Sequence, residues 1–281
     1  MEKIIAKIAD GAAAVIKPVD GDYYEGGILY CGKCKTRRET KITVFNEERI
    51  VRCLCECEAK RIKEEEKAFQ ARQESRRIRS LRQYGFPDEE MQQWTFAKDD
   101  GANPKLTSWA RSYVRSFPTM LAQGKGVVLF GPVGTGKTFA AACVANALID
   151  EGRSVLMTSF SRIGNILQAE KNRQEYLDEF GRYDLLVIDD LGAERDTSYM
   201  EEIVFSVIDA RYRQKKPLIV TTNLSSEELK NAEDISLRRV LSRLYEMCSF
   251  MAVPGKDRRK AENRKNQEAQ HKLMEAEDDL F

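Results

Sequence analysis

Apolar residues recur along this chain in two rhythms. From about residue 85 onward, short unbroken apolar runs alternate with longer stretches of helical spacing. The runs cover residues 127–130, 154–160, 185–191, 217–223 and 249–253. Unbroken runs of this length suit strands buried on both faces, and helical stretches between them suit the connections of a parallel sheet. The first run is followed by an Ala-rich helical stretch (Ala140, Ala141, Ala142, Val144, Ala145, Ala147, Leu148). The expected class is α/β, a central parallel sheet flanked by helices.

Ahead of residue 85 the pattern changes. Ile4, Ile5, Ile8, Ala12, Val15 and Ile16 share one side of a helix interrupted at Asp10-Gly11, suited either to its own neighbour or to a partner. Residues 41–45 and 49–51 alternate as a short hairpin. Residues 58–83 hold no Pro or Gly and only sparse apolar positions (Ile62, Phe69, Ile78, Leu81), the pattern of a solvated helix. Within it Arg76, Arg77, Arg79 and Arg82 form a basic cluster, a solvated face or a contact for nucleic acid or a partner. Gly85-Phe86-Pro87 breaks the helix, and Trp94, Phe96, Trp109, Tyr113, Val114 and Phe117 supply apolar faces ahead of the first strand. The chain thus divides into residues 1–58, a charged helical linker over 59–84, an α/β domain over 85–255 and a charged tail over 256–281.

Length and charge add bounds. A chain of 281 residues accommodates one sizeable core plus a small appendage. Its 46 Lys and Arg nearly balance 45 Asp and Glu, so net charge gives no sign of nucleic acid. No apolar run reaches membrane-spanning length, and Met1-Glu2-Lys3 opens no secretory signal. A cytoplasmic setting without membrane contact is expected.

The chemistry gathers at strand ends. The first run breaks into Gly131-Pro132-Val133-Gly134-Thr135-Gly136-Lys137-Thr138 and then the Ala-rich helix. That is the P-loop pattern with strand and helix in place. Glycines let backbone N–H groups curl around phosphate oxygens, and the helix N-terminus adds positive character. Lys137 would reach the β- and γ-phosphates, and Thr138 would offer its hydroxyl to Mg²⁺. A second run ends in Asp189-Asp190, like Walker B. Asp189 would hold Mg²⁺ directly or through water, and Asp190 would polarise the attacking water. A third ends at Asn223, placed either for the γ-phosphate and its water or to cap the next helix. ATP/ADP and Mg²⁺ follow as ligands.

Of seven cysteines, five crowd between Cys31 and Cys57, while Cys143 and Cys248 stand alone in apolar surroundings. Cys31-Gly32-Lys33-Cys34 and, about twenty residues later, Cys53-Leu54-Cys55-Glu56-Cys57 suit a tetrahedral Zn²⁺ site whose ligands the hairpin brings together. The one histidine, His271, lies in the far tail, which leaves an all-cysteine set. Five thiols compete for four places. Cys31, Cys34, Cys55 and Cys57 are the preferred ligands, with Cys53 in reserve. Four thiolates leave no position open for water, so such a site is structural.

From about residue 85 to 255 the chain resembles the AAA+ ATPases of the DnaC/DnaI-type helicase loaders, of which the IstB transposition helpers are close relatives. The resemblance rests on the P-loop string, Asp189-Asp190-Leu191-Gly192-Ala193-Glu194, Ala210-Arg211-Tyr212-Arg213, Thr221-Thr222-Asn223-Leu224 and Ser242-Arg243-Leu244. Asp-Asp-Leu-Gly-Ala-Glu is the most specific, because most AAA+ proteins carry Glu in place of Asp190. Asn223 matches the sensor-1 position, Arg243 the arginine finger (with Arg239 the next candidate) and Arg258 the sensor-2 residue. Phe139 departs from the His or Tyr that relatives often carry, and the second strand holds no diagnostic residue.

The resemblance implies an ATPase that self-associates through its AAA+ domain and loads a hexameric replicative DNA helicase onto single-stranded DNA, in a bacterium or phage. A zinc-binding N-terminal region, gripping the helicase, resembles the DnaI type and is not expected in IstB. Two alternatives stand: an IstB-like regulator of a transposase on duplex DNA, and an ATP-binding switch with negligible hydrolysis, since Asp190 is one methylene shorter than Glu. The chain closes on Asp278-Asp279-Leu280-Phe281, similar to the Leu-Phe peptides that dock on the sliding clamp.

Overall fold

The computed structural model describes residues 18–258 apart from 171, 195, 196 and 233, together with residue 267. The helix expected over residues 4–16, His271 and the closing 278–281 peptide lie outside the described residues. The chain forms two compact units, Met1–Ser75 and Arg76–Phe281.

The first unit is built from two antiparallel hairpins. The expected one pairs β3 (Glu39–Val44) with β4 (Glu47–Arg52), and Phe45 and Asn46 form its turn at φ 53° and 63°. Two left-handed central residues match the right-handed twist of the strands they join. Ahead of it β1 (Tyr23–Glu25) pairs with β2 (Ile28–Tyr30), three residues each and too short to show periodicity. Among the described residues, the buried apolar side chains of this unit are Ile28, Leu29, Cys31 and Cys55. So small a core needs a further staple. Arg38 supplies part of one, pairing with Asp22 at 2.8 Å and Glu58 at 3.7 Å.

Helix α1 (Glu56–Gly85) carries the chain out of this unit. Its final turns are not a bare linker. Ile78 and Leu81 pack on the second unit's core, Arg77 donates to the Gly152 carbonyl at 3.1 Å, and Arg82 pairs with Asp150. Part of the basic cluster is therefore spent on packing this helix.

In the second unit, α2 (Pro104–Arg115) and α3 (Phe117–Gln123) precede β5 (Gly126–Phe130), and α4 (Lys137–Asp150) follows it. The chain continues through β6 (Val155–Ser159), α5 (Phe160–Ala169), α6 (Arg173–Glu179), β7 (Leu185–Leu191), α7 (Ser198–Gln214), β8 (Leu218–Thr222), α8 (Ser226–Lys230), α9 (Ile235–Met247) and β9 (Cys248–Ala252). The five strands pair in parallel, in the order β6-β7-β8-β5-β9. Alternate residues feed two cores. Val127, Leu129, Leu185, Val187 and Ile219 face α2 and α4, whereas Val128, Leu186, Ile188, Leu218 and Val220 face α5, α7 and α9. Burial of both faces is why each strand reads as an unbroken apolar run. The expected run over 154–160 ends one residue early, because Ser159 caps α5 by accepting the Arg162 N–H and Phe160 turns into the core.

One buried cation ties together the entrances to two neighbouring strands. Arg211 of α7 is fully buried. It donates to the carbonyls of Phe180, Tyr183, Asp184 and Pro217 at 2.8–3.1 Å. Burial pushes its guanidinium down to about 10, which still leaves it charged at neutral pH. These carbonyls flank the entrances to β7 and β8, so this residue of the family string serves the architecture. Arg211→Ala removes hydrogen bonds to four carbonyls and leaves that of Asp184 without its donor, and a loss of about 3 kcal/mol is expected in urea denaturation.

Candidate functional site

Because the strands run parallel, the chain leaves β5, β7 and β8 at one common edge, where a cavity of about 820 Å³ opens. Residues 131–136 wrap its floor. Gly131, Gly134 and Gly136 have φ of 135°, 76° and 92°, a region that side chains resist. At Gly134 an added Cβ would strike Asp257, and at Gly136 it would lie 3.0 Å from the Arg258 guanidinium. Pro132 accepts from the buried Thr135 hydroxyl at 3.1 Å, and Val133 stands half-exposed at the rim. Gly136 caps α4, whose N-terminus points amide donors into the cavity. Lys137 donates to the carbonyls of Gly131 and Pro132 at 2.7 Å and to Asn223 Oδ1 at 2.9 Å.

The carboxylates enter from β7. Burial pushes the Asp189 carboxyl up, against hydrogen bonds from the Thr221 and Thr138 hydroxyls that pull it down. Thr138 and Asp189 thus lie side by side, a hydroxyl and a carboxylate fit to hold Mg²⁺. Asp190 sits at φ 57° where β7 slips its register against β8. Its carboxylate accepts from Asn223 Nδ2 at 3.1 Å, so Asn223 bridges Asp190 and Lys137. Helix capping is not its role, since Ser225 caps α8 in a capping box with Glu228.

Two features of this cavity were not read from the sequence. Trp94 and Phe139, 6.0 Å apart, form an apolar wall with Met91. Buried Asn146 of α4 holds that wall, donating to the Met91 carbonyl at 2.8 Å and the Trp94 carbonyl at 3.0 Å. Opposite stands Arg258, matched from the sequence to the sensor-2 residue, whose backbone N–H donates to the Gly134 carbonyl at 3.1 Å and whose side chain pairs with Asp100. An Asn inside an Ala-rich helix was the one sequence signal available.

Arg243 lies elsewhere. Its Nε donates to Asp209 at 2.5 Å, which also pairs with Arg213 at 3.1 Å. Its guanidinium lies 4.9 Å from the Phe205 ring and 5.5 Å from Tyr212, and Arg239 lies 4.0 Å from Phe205. Neither arginine lines the cavity of its own chain.

In the first unit the thiols of Cys31, Cys34, Cys55 and Cys57 converge within 4.8 Å of one another. Cys57 Sγ is 3.5 Å from Cys31 and 3.4 Å from Cys55. Tetrahedral zinc with Zn–S near 2.3 Å needs sulfurs about 3.8 Å apart, so the donor set fits the metal. The Cys31–Cys34 turn is fixed by Cys31 N–H donating to Thr36 and by the left-handed Lys35. Because α1 starts at Glu56, Cys55 and Cys57 do not continue a strand face with Cys53, which points away to the Arg37 carbonyl at 3.4 Å. The Thr36 hydroxyl pulls Cys34 down to about 5, while the neighbouring Cys55 and Cys31 sulfurs push Cys57 up to about 12. Four such thiols ionise together only beside a compensating cation. Cys143 and Cys248 are each raised to about 12 by burial and remain thiols.

A P-loop over the end of a central strand, with a carboxylate pair on the next strand but one, defines a P-loop nucleotide-binding domain. The chain belongs to the IstB-like ATP binding protein family, matched over residues 57–266. It is 29% identical over 186 residues to the replicative helicase loader DnaI of Bacillus subtilis, covering 59% of this chain and 58% of that one. It is 32% identical over 130 residues to the replicative helicase loader DnaC of Escherichia coli, covering 43% of this chain and 51% of that one. The chain therefore spans little more than half the length of these relatives. A DnaI crystal structure matches the fold with a TM-score of 0.51 at 21% identity, over 62% of this chain and 95% of that one. Among the described residues no helix is long and apolar enough to cross a membrane.

Proposed function

We propose that this chain is an ATPase that loads a hexameric replicative DNA helicase onto single-stranded DNA. The observation that carries the reading is the four-thiol cluster in a separate unit ahead of the P-loop domain. It favours a loader with a zinc-bearing grip over a transposase regulator, the second reading that the family's description keeps in view. The ATPase domain contacts single-stranded DNA, and turnover times release of the helicase. The tail peptide 278–281, outside the described residues, is a candidate contact for the sliding clamp.

The chain's own groups divide the work. Backbone N–H groups of residues 133–136 and the Lys137 ammonium hold the phosphates, Lys137 exchanging loop carbonyls for phosphate oxygens. Thr138 and Asp189 hold Mg²⁺, which when bound neutralises phosphate charge. Asp190 accepts the proton of the attacking water, and Asn223 orients that water against the γ-phosphate. Arg258 reaches the phosphates from the same chain. Arg243, turned away from its own cavity, acts on the nucleotide of a neighbouring copy and leaves Asp209 to do so. The zinc of the first unit is structural.

Copurification tests the reading. The full chain should retain a replicative helicase, and Cys34→Ser should lose it while still binding ATP. Capture of a transposase instead, or retention by the Cys34 variant, contradicts it. Lys137→Ala should abolish nucleotide-dependent activity without unfolding the chain, and normal hydrolysis by that variant would remove the P-loop assignment.

Metal analysis should find zinc in a one-to-one ratio with the chain. Bound zinc requires deprotonated thiols, so affinity should fall as pH drops and protons compete for sulfur. Cys53→Ser should keep the metal and Cys55→Ser lose it. The reverse order would exchange their roles.

Arg243→Ala should bind ATP nearly normally and lose turnover, by on the order of 10³ to 10⁵ if it acts as fingers do elsewhere. Mixed with Lys137→Ala it should regain some, because a mixed interface pairs an intact loop with an intact finger. An inactive mixture in which mixed oligomers form would move the finger, with Arg239 the next candidate.

A further inference from the structure

Strands β7 and β8 pair in register through Ile188 and Val220, and pairing resumes at Leu191 and Thr222. Between those points β7 spends Asp189 and Asp190 while β8 spends only Thr221. One extra residue on one strand is a bulge, which bends that strand and re-aims its side chains. Here it brings two successive carboxylates to the cavity, where regular alternation would send them to opposite faces. It also forces Asp190 to φ 57°, a conformation that persists only when its surroundings impose it.

What imposes it is visible. Thr221 is fully buried, and its hydroxyl oxygen accepts the Asp190 N–H at 3.0 Å. The same hydroxyl donates its proton to Asp189 Oδ1 at 2.5 Å. One residue on, the buried Thr222 hydroxyl donates to the Leu191 carbonyl at 2.6 Å and closes the bulge. A hydroxyl offers one donor and two acceptor positions, a backbone N–H only donates and a carboxylate only accepts, so the Thr221 pattern has one sense. Thr221 thus bonds both consecutive carboxylate residues, and Asn223 bonds the Asp190 carboxylate.

We propose that Thr221 is the positioning residue of this site: its hydroxyl pins the bulge so that Asp189 faces the metal position and Asp190 the attacking water. This rests on the reading of Asp189 and Asp190 given above. The requirement is for the hydroxyl, not for bulk. Thr221→Val keeps the shape and loses both bonds, whereas Thr221→Ser keeps both bonds and loses a methyl.

Two measurements on the full-length chain test it, each with a melting curve. The first is the Mg²⁺ concentration that supports half-maximal binding of a fluorescent, non-hydrolysable ATP analogue. The second is kcat for ATP. Thr221→Val should raise the Mg²⁺ requirement and lower kcat by about 10- to 100-fold, the usual cost of removing a residue that orients a metal ligand. Thr221→Ser should restore the larger part of both. If the unaltered chain hydrolyses nothing, the hydrolysis reading falls, and the Mg²⁺ requirement still decides the role of Thr221. A valine variant with unchanged Mg²⁺ requirement overturns the proposal. So does a serine variant as impaired as the valine one, which would make the role packing. Should the valine variant not fold, Thr221→Ala takes its place in the same comparison.

Discussion

One run of hydrogen bonds crosses the ends of three adjacent strands, and the nucleotide site depends on it. Thr221 of β8 holds Asp189 and the Asp190 backbone of β7, Asn223 beyond β8 holds the Asp190 carboxylate, and Asn223 in turn holds Lys137 beyond β5. The parallel sheet makes this possible, since strands of one direction deliver their exits to one edge. Two apolar cores, one on each face, fix the strands whose ends carry the chemistry. Small displacements there matter because carboxylates and an ammonium act on phosphate only at hydrogen-bond range.

The same economy explains the contrast between the units. The second has apolar mass on both sheet faces and needs polar clamps such as Arg211 only where backbone carbonyls are buried. The first has a handful of buried apolar side chains, so four converging thiols and the Asp22–Arg38–Glu58 pairing carry more of its order. Metal removal is expected to bear on it most.

Much of this was legible in the sequence, for reasons that can be named. Unbroken apolar runs marked the β5 to β9 strands because both faces are buried, and the P-loop string and Asp189-Asp190 sat at their ends. The hairpin of β3 and β4 showed its alternation. What stayed hidden depends on tertiary geometry. Strands β1 and β2 are too short for periodicity, whereas the four cysteines preferred from the sequence are the ones that converge. The bulge is invisible in Asp189-Asp190 itself, so the hydroxyl of Thr221 read only as a polar strand end. Arg211 stood in a family string with nothing to say that it is buried. Asn146 carried no reading in the sequence, and it holds the Met91–Trp94 wall.

The central claim is that the strand exits form one preassembled site for a Mg²⁺-bound nucleoside triphosphate. A crystal structure with Mg²⁺ and a non-hydrolysable ATP analogue tests it most directly. The account predicts Lys137 Nζ transferred from the Gly131 and Pro132 carbonyls to phosphate oxygens, Mg²⁺ between Thr138 and Asp189, and the Thr221 bonds unchanged. A triphosphate bound away from residues 131–138, or a Lys137 still bonded to its loop carbonyls beside the bound analogue, would contradict it.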